Sequence, residues 1–392
     1  MTASAPSTAI RRRATAVIAG ALLLLLVAQP VLAVTWGPAI RLSSMSNYQP
    51  RIFRTGPTSA LTVYQRGSFA YARRSVDSGK TWSAPVQIAS AIRLNFSAAA
   101  SGSKVDIAYV RQVKTSSGTT NRLYYRRSLD GGATWKASKA MTSSTSNIID
   151  QAVARHASGR VSITWTGYST GRLYLRTSSD GGATFGSAQY IAKTANWEPG
   201  EHPMYYSQPS IAIGTGVTYV AYLSDTNTMS VRRTKDNGLT WSSPTKISTS
   251  TDAPFELVAT GSSALLGYTS TASGTMQAAY RLTTDKGSTW SSKKALSSST
   301  NGRFSTRPQF ALKGGVLAVV FKHGTPGNSP VWYRQSTDFG LTWSPLSRVS
   351  QTHVDDSDPE PGGVAILDAV KLAGYNENRS EGSEGLWIRR GQ

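Results

Sequence analysis

Six segments of this 392-residue chain repeat one pattern, Ser/Thr-x-Asp-x-Gly-x-Thr-Trp/Phe, at residues 75–82, 128–135, 178–185, 234–241, 283–290 and 336–343. Their aspartates, Asp77, Asp130, Asp180, Asp236, Asp285 and Asp338, stand 49 to 56 residues apart. The pattern is that of a tight hairpin turn. The Asp accepts hydrogen bonds from nearby amides, the Gly admits φ > 0, and the aromatic anchors the turn beneath a sheet. Length alone would allow two or three domains, but a unit recurring at this period argues for one radial array.

Three further columns run in register with the boxes. An apolar residue follows each box aromatic by six positions: Ile88, Met141, Ile191, Ile247, Leu296 and Val349. An arginine precedes each box Asp by four: Arg73, Arg126, Arg176, Arg232, Arg281 and Arg334. Upstream, a β-rich run ends in Tyr64, Tyr109, Trp165, Tyr222, Tyr268 or Phe321. Each repeat therefore reads as four short strands, A to D, with the box joining C to D. A seventh copy is split. Residues 369–375 and 385–390 match strands B and C, with Arg389 in the arginine column, and the chain stops before a box. At the other end, Thr35-Trp36-Gly37-Pro38 resembles the end of a box, and Leu42 falls six residues after Trp36. The predicted fold is all-β: a seven-bladed β-propeller of four-stranded antiparallel blades, closed by the N-terminal strand completing the last blade. Box tryptophans are expected to behave as core aromatics, whose truncation costs about 3–5 kcal/mol.

Residues 1–33 read as an address. Arg11, Arg12 and Arg13 precede an apolar run over 14–28, followed by the small-residue site Val31-Leu32-Ala33. This is the layout of a secretory signal peptide. An uncleaved anchor is the alternative, but the run is shorter than the about 20 residues a span needs. Residues 34–392 then form a single propeller domain, secreted to the periplasm or the exterior, with no membrane contact after cleavage, and a monomer. The absence of cysteine excludes disulfides, zinc–cysteine sites and thiol catalysis, so ring closure must be non-covalent.

The chain carries 42 Lys and Arg against 21 Asp and Glu. Much of that excess belongs to the scaffold, as column arginines and as lysines on strand D, where edge lysines discourage sheet-to-sheet pairing. No aromatic-interleaved basic stripe stands in the sequence, so nucleic acid is not expected as a partner.

What departs from the repeat points to a site. In a propeller the D–A and B–C loops share one face and the boxes lie on the other. Acids outside the boxes, among them Asp150, Glu198, Glu201, Glu256 and Glu360, map to the first face. So do His202, His323 and His353. Two readings stay open: a ligand mouth, or polar residues that simply populate loops. The segment 197–206, with Trp197, Glu198, Glu201, His202 and Tyr205, combines aromatic faces with carboxylates and a histidine, a mixture suited to sugars. The segment 353–360 holds Asp355, Asp356 and Asp358, either a hard-cation site for calcium or a solvated turn. No other cofactor is implied. Prolines near the start of strand A, such as Pro50 and Pro308, place Arg51 and Arg307 at the channel mouth, where each could hold a carboxylate through paired hydrogen bonds. The candidate ligand-binding residues are thus Arg51, Asp150, Trp197, His202, Tyr205, Arg307 and Glu360.

The boxes are Asp-boxes, also called BNR repeats, and on them the chain resembles the sialidase superfamily over residues 34–392. The resemblance implies a propeller and an extracellular glycan or glycoconjugate as partner. An active sialidase has an Arg-Ile-Pro motif, three arginines on the substrate carboxylate, a Tyr/Glu nucleophile pair and an Asp acid/base. The nearest match to the motif is Arg51-Ile52-Phe53, preceded by Pro50, and Arg307 offers a second clamp. Tyr375 belongs to the aromatic column and reads as structural. The leading expectation is a carbohydrate- or ligand-binding module. The alternatives are an exo-sialidase-like glycoside hydrolase, with Glu198, Glu201, Asp355 and Asp358 as candidate catalytic carboxylates, and a protein-assembly scaffold.

Overall fold

Hairpin follows hairpin around a central axis, giving seven four-stranded antiparallel sheets, each ordered A-B-C-D from the inside outward. The computed structural model describes residues 33–44, 48–116, 118–143, 146–168, 170–194, 209–224, 228–272, 274–298, 302–350, 359–377 and 385–392. Blade one shows the plan: Tyr48–Arg54, Ala60–Arg66, Phe69–Ser75 and Val86–Ala89. Blade seven takes Glu360–Ile366, Lys371–Glu377 and Gly385–Gly391 from the C-terminus and Trp36–Arg41 from the N-terminus. The closing pair is antiparallel, with Ala39 opposite Arg389 and Arg41 opposite Trp387. Amide bonds extend it on both sides, from Leu42 N to Leu386 O at 2.7 Å and from Gln392 N to Thr35 O at 3.1 Å.

The apolar core lies between blades. Seven clusters of buried side chains are each shared by two neighbouring blades. The aromatic column of strand B is buried throughout, from Tyr64 to Tyr375, each residue 5% exposed or less. The apolar column of strand D, Ile88 to Val349, is equally buried. Each box aromatic leans on the cluster shared with the preceding blade: Trp82 on blades seven and one, Trp135 on one and two, Trp343 on five and six. Trp36 takes the same place between blades six and seven, edge-on to Tyr333 at 5.2 Å. These box aromatics are half-buried rather than fully enclosed. Their truncation should therefore cost less than that of a fully buried aromatic, which runs to about 3–5 kcal/mol.

The box turn is satisfied from within itself. In the second blade Ser128 Oγ donates to Asp130 Oδ1 at 2.8 Å, and Thr134 N and Oγ1 donate to the same carboxylate at 2.9 and 2.6 Å. Side-chain bonds from Thr240, then its amide, then Thr234 hold the Asp236 carboxyl down at about 2. Two consecutive residues in each box have positive φ, for example Gly181 at 72° and Gly182 at 84°. The sequence pattern marked only the second. That glycine is also required by proximity, since a Cβ on Gly182 would lie 1.9 Å from the hydroxyl of Tyr125 in the preceding blade.

Column arginines join neighbouring blades. In blades two, six and seven, Arg126, Arg334 and Arg389 donate through Nη1 to the carbonyls of Ile88, Leu296 and Val349 at 2.5, 2.7 and 3.0 Å. Arg73 and Arg232 reach Leu42 O and Ile191 O in the same way. In these five the acceptor is the apolar-column residue of the previous blade, and the Arg73–Leu42 bond carries the pattern across the closure.

The mouth-side halves of the inner strands are irregular. The A–B register shifts between Tyr48 and Arg51, Ile148 and Asp150, Asp252 and Glu256, and Thr306 and Gln309. Pro50, Pro254 and Pro308 fall inside three of these shifts, where a residue without an N–H interrupts the ladder. Such bulges re-aim side chains next to sites. Here they turn Arg51, Asp150 and Glu256 into the bore.

Candidate functional site

The seven inner strands enclose a channel cavity of about 420 Å³, where Ala, Val, Ile and Leu side chains share the wall with polar ones such as Ser97, Gln151 and Gln309. Charged groups interrupt that wall at its two ends. Toward the box side, Asp368 accepts from Arg54 Nη2 at 3.1 Å and from Lys313 Nζ, so blades one, six and seven meet on one carboxylate.

Toward the D–A/B–C face, Arg51 of blade one reaches across the bore to Glu256 of blade five, with Nη1 3.3 Å from both carboxylate oxygens. Glu256 Oε2 also accepts from the amide of Phe310 at 3.0 Å. Arg51 and Glu256 retain 32% and 22% side-chain exposure, so the pair is reachable by a solute. Beside it, Glu360 of blade seven binds Arg307 Nη1 at 2.6 Å and Lys322 Nζ at 3.3 Å. Gln309 Nε2 donates to Pro361 O at 3.0 Å. Arg307 has a left-handed backbone, φ 55°, and its amide is held by Thr269 Oγ1 at 3.1 Å. A non-glycine residue in that region costs free energy and clusters at functional sites.

Of the residues singled out from sequence, Arg51 and Asp150 line the channel, and Asp150 is 3% exposed. Arg307 and Glu360 face one another in an ion pair. Trp197, Glu198, Glu201, His202, Tyr205, Asp355, Asp356 and Asp358 lie outside the described residues. His323 is buried at 3%, with Nδ1 3.1 Å from Phe304 O, and burial lowers its pKa. It packs beneath the mouth instead of facing a ligand. Tyr375 is fully buried in the cluster between blades six and seven.

Sequence reasoning gave Glu256 no special role, because its partner lies 205 residues away and no motif links them. It also passed over Asp106, the largest polar departure from the apolar strand-B pattern. Asp106 is fully buried and bonded to Arg155 and Tyr125. Arg155 Nη2 continues to Gly181 O of the next box at 3.1 Å. Burial and then the Asp106 charge push the Tyr125 hydroxyl's pKa up. This network braces blades two and three on the box side.

No family model and no curated protein sequence matches the chain. Among solved structures, it is similar to a protein of unknown function from Dyadobacter fermentans, at 14% identity and TM-score 0.54, covering 92% of this chain and 100% of that one. It is also similar to an ulvan lyase of polysaccharide lyase family PL25, bound to a repeat of glucuronic acid and sulfated rhamnose. That match has 12% identity and TM-score 0.56, and covers 90% and 95% of the two chains. A Trypanosoma rangeli sialidase in complex with an inhibitor gives 12% identity and TM-score 0.49, over 88% of this chain and 55% of that one. These likenesses concern the propeller fold.

Proposed function

We propose that the protein is a secreted, sialidase-like Asp-box propeller that binds an extracellular glycan at the channel mouth. The observation that carries this reading is the array of partly exposed charged side chains at the open end of the bore. Arg51 and Glu256 form one pair and Arg307 and Glu360 a second, with the buried Lys322 behind Glu360. Sugar hydroxyls are bound by such charge-assisted donors and acceptors, which are already oriented by one another and lose little freedom on binding. On the sequence reading, Trp197 and Glu201 belong to the segment that precedes blade four and would add stacking surface for the same ligand. An ulvan lyase among proteins of similar fold accords with a polysaccharide ligand. Secretion rests on the reading of residues 1–33.

Binding ranks above hydrolysis. A sialidase needs arginines free to converge on a substrate carboxylate and an accessible tyrosine nucleophile. Arg51 and Arg307 are each engaged by a protein carboxylate, and Tyr375 is enclosed. A scaffold without a small ligand would call for a filled bore, whereas about 420 Å³ remains open.

The test is a glycan-array screen followed by titration of the best hit. Glu256→Gln and Trp197→Ala should each weaken that hit about tenfold or more, the loss of roughly one charge-assisted contact. The absence of any hit, or unaltered binding in both variants, would overturn the reading. A fluorogenic sialoside should stay intact, and its cleavage would return the hydrolase to first place.

A further inference from the structure

The charge of the ring is lopsided. Residues 34–194, which hold blades one to three and the closing strand, carry 21 Lys and Arg against 5 Asp and Glu, while residues 195–392 carry 18 against 16. The five acids of the first half are all accounted for. Asp77, Asp130 and Asp180 sit in box turns, and Asp106 and Asp150 are buried. Among the described residues, the mouth-side rim of blades one to three therefore presents no exposed carboxylate.

What it presents is arginine laid on tyrosine. Two positions before the column arginine, strand C holds Tyr71, Tyr124 and Tyr174 in blades one to three, Ser230 and Ala279 in blades four and five, and Trp332 and Trp387 in blades six and seven, where the closing strand's Arg41 lies 5.5 Å from Trp387. Tyr71 stacks on Tyr64 at 5.9 Å and carries Arg66 at 4.9 Å. Tyr124 stacks on Tyr109 at 5.9 Å and carries Arg111 and Arg122, each at 5.8 Å. Tyr174 meets Tyr190, over which Arg172 lies at 5.8 Å. No ion pair involves Arg66, Arg93, Arg111, Arg122 or Arg172 among the described residues, in contrast to Arg51 and Arg307 at the mouth.

Backbone bonds make the rim continuous. Ile92 N donates to Ser68 O at 3.0 Å and Gln112 N to Ala91 O at 3.3 Å, joining blade one to blade two. Asn121 N donates to Asn147 Oδ1 at 3.3 Å and Tyr168 N to Asn147 O at 2.8 Å, joining blade two to blade three. The blade-two hairpin, Lys104–Thr115 with Gly118–Ser128, runs longer than its neighbours and adds the exposed Lys114.

We propose that this outer rim is a second binding surface, distinct from the channel mouth, for an extended anionic polysaccharide held through its sulfate or carboxylate groups. A guanidinium resting on a ring has surrendered much of its rotamer freedom before binding and keeps N–H edges to meet an oxyanion in pairs. Spacing the cations over three blades suits a repeating polymer better than a single anion. Stacking of nucleic-acid bases needs bare ring faces, and here Tyr71 and Tyr124 lie between a second tyrosine and an arginine. The sequence shows no basic aromatic stripe, because its members come from different strands and blades. The fold assembles it.

The surface stands independently of the mouth reading and is tested separately. Binding of the purified protein to heparin, to neutral dextran and to a 20-base-pair DNA is measured at two salt concentrations. Heparin should bind and weaken steeply with salt, as counterion release requires, while dextran should not bind this surface. The triple variant Arg66→Gln, Arg93→Gln, Arg111→Gln should lose about tenfold or more in heparin affinity. A matched triple on blades four and five, Lys246→Gln, Lys293→Gln, Lys294→Gln, should stay within about twofold. Should the first triple fail to fold, Lys114→Gln with Arg172→Gln serves the same purpose. Absence of heparin binding, equal losses in the two triples, or DNA binding as tight as heparin would each overturn the proposal. Loss of the array hit in Glu256→Gln with heparin binding intact would leave it standing.

Discussion

The two rims of this ring follow opposite rules. On the box rim the same polar groups recur blade after blade, and each is satisfied by its own turn or by the neighbouring blade, as in Ser128–Asp130–Thr134 or Arg74–Gly131. On the mouth rim, among the described residues, the charged groups differ from blade to blade. Glu256 and Glu360 neutralise Arg51 and Arg307, whereas Arg66, Arg111, Arg122 and Arg172 of blades one to three lie on tyrosines with no ion pair among the described residues. Repetition marks what every blade needs in order to stack, and departure from it marks where the molecule differs from a bare scaffold.

If that contrast holds, damage to the repeated framework should be costly and should spread around the ring. Deleting residues 34–42 removes Trp36 from the last inter-blade cluster, the carbonyls that Arg389 contacts, and the acceptor of Arg73. The melting temperature by calorimetry should fall by about 10 °C or more, since several kcal/mol of packing and hydrogen bonding are lost. An unchanged value would refute closure by the split blade.

A single methyl group at a box should be felt next. Gly182→Ala combines positive φ with a 1.9 Å approach to Tyr125, and about 2–4 kcal/mol of destabilisation is expected in denaturant unfolding. The same change at Gly102, where a Cβ meets nothing within 4 Å, should cost only the about 1–2 kcal/mol of the backbone conformation. Equal costs at the two sites would remove the inter-blade role assigned to the box glycine.

The smallest effect is acid sensitivity. Hydrogen bonds depress the folded-state pKa of the box aspartates, to about 2 for Asp77, Asp130 and Asp236. A depressed carboxyl contributes stability that is complete above its unfolded value of about 3.9 and is lost as pH falls through the folded value. The protection factors of amides in the box turns should therefore stay flat from pH 7 to 5 and fall only between about pH 4 and 2. Loosening of those turns already at pH 5 would contradict the hydrogen-bond assignment.

The framework was legible in the sequence because its residues recur at a fixed offset. Tyr64 to Tyr375, Arg73 to Arg389 and the half-box at Trp36 could be aligned without knowing any contact, and seven blades follow from them. The mouth was legible only as a list of polar residues on one face. Arg51 and Arg307 were placed there by the prolines beside them, but their pairing with Glu256 and Glu360 depends on the curvature of the ring. That curvature brings blade one opposite blade five, and no local pattern encodes it. The arginine–tyrosine rim escaped for a related reason. Arg66, Arg111, Arg122 and Arg172 belong to none of the repeated columns, and the bias of such charges toward blades one to three emerges only when they are counted by blade.

The most direct test of the division between rims is hydroxyl-radical footprinting of the protein with its best glycan from the array. Protection is predicted at the mouth-side residues of the inner strands, Arg51, Glu256, Arg307 and Glu360 among them, with the six box turns unchanged. Protection concentrated on the boxes, at Trp82, Trp135 or Trp343, with the mouth left open, would contradict it.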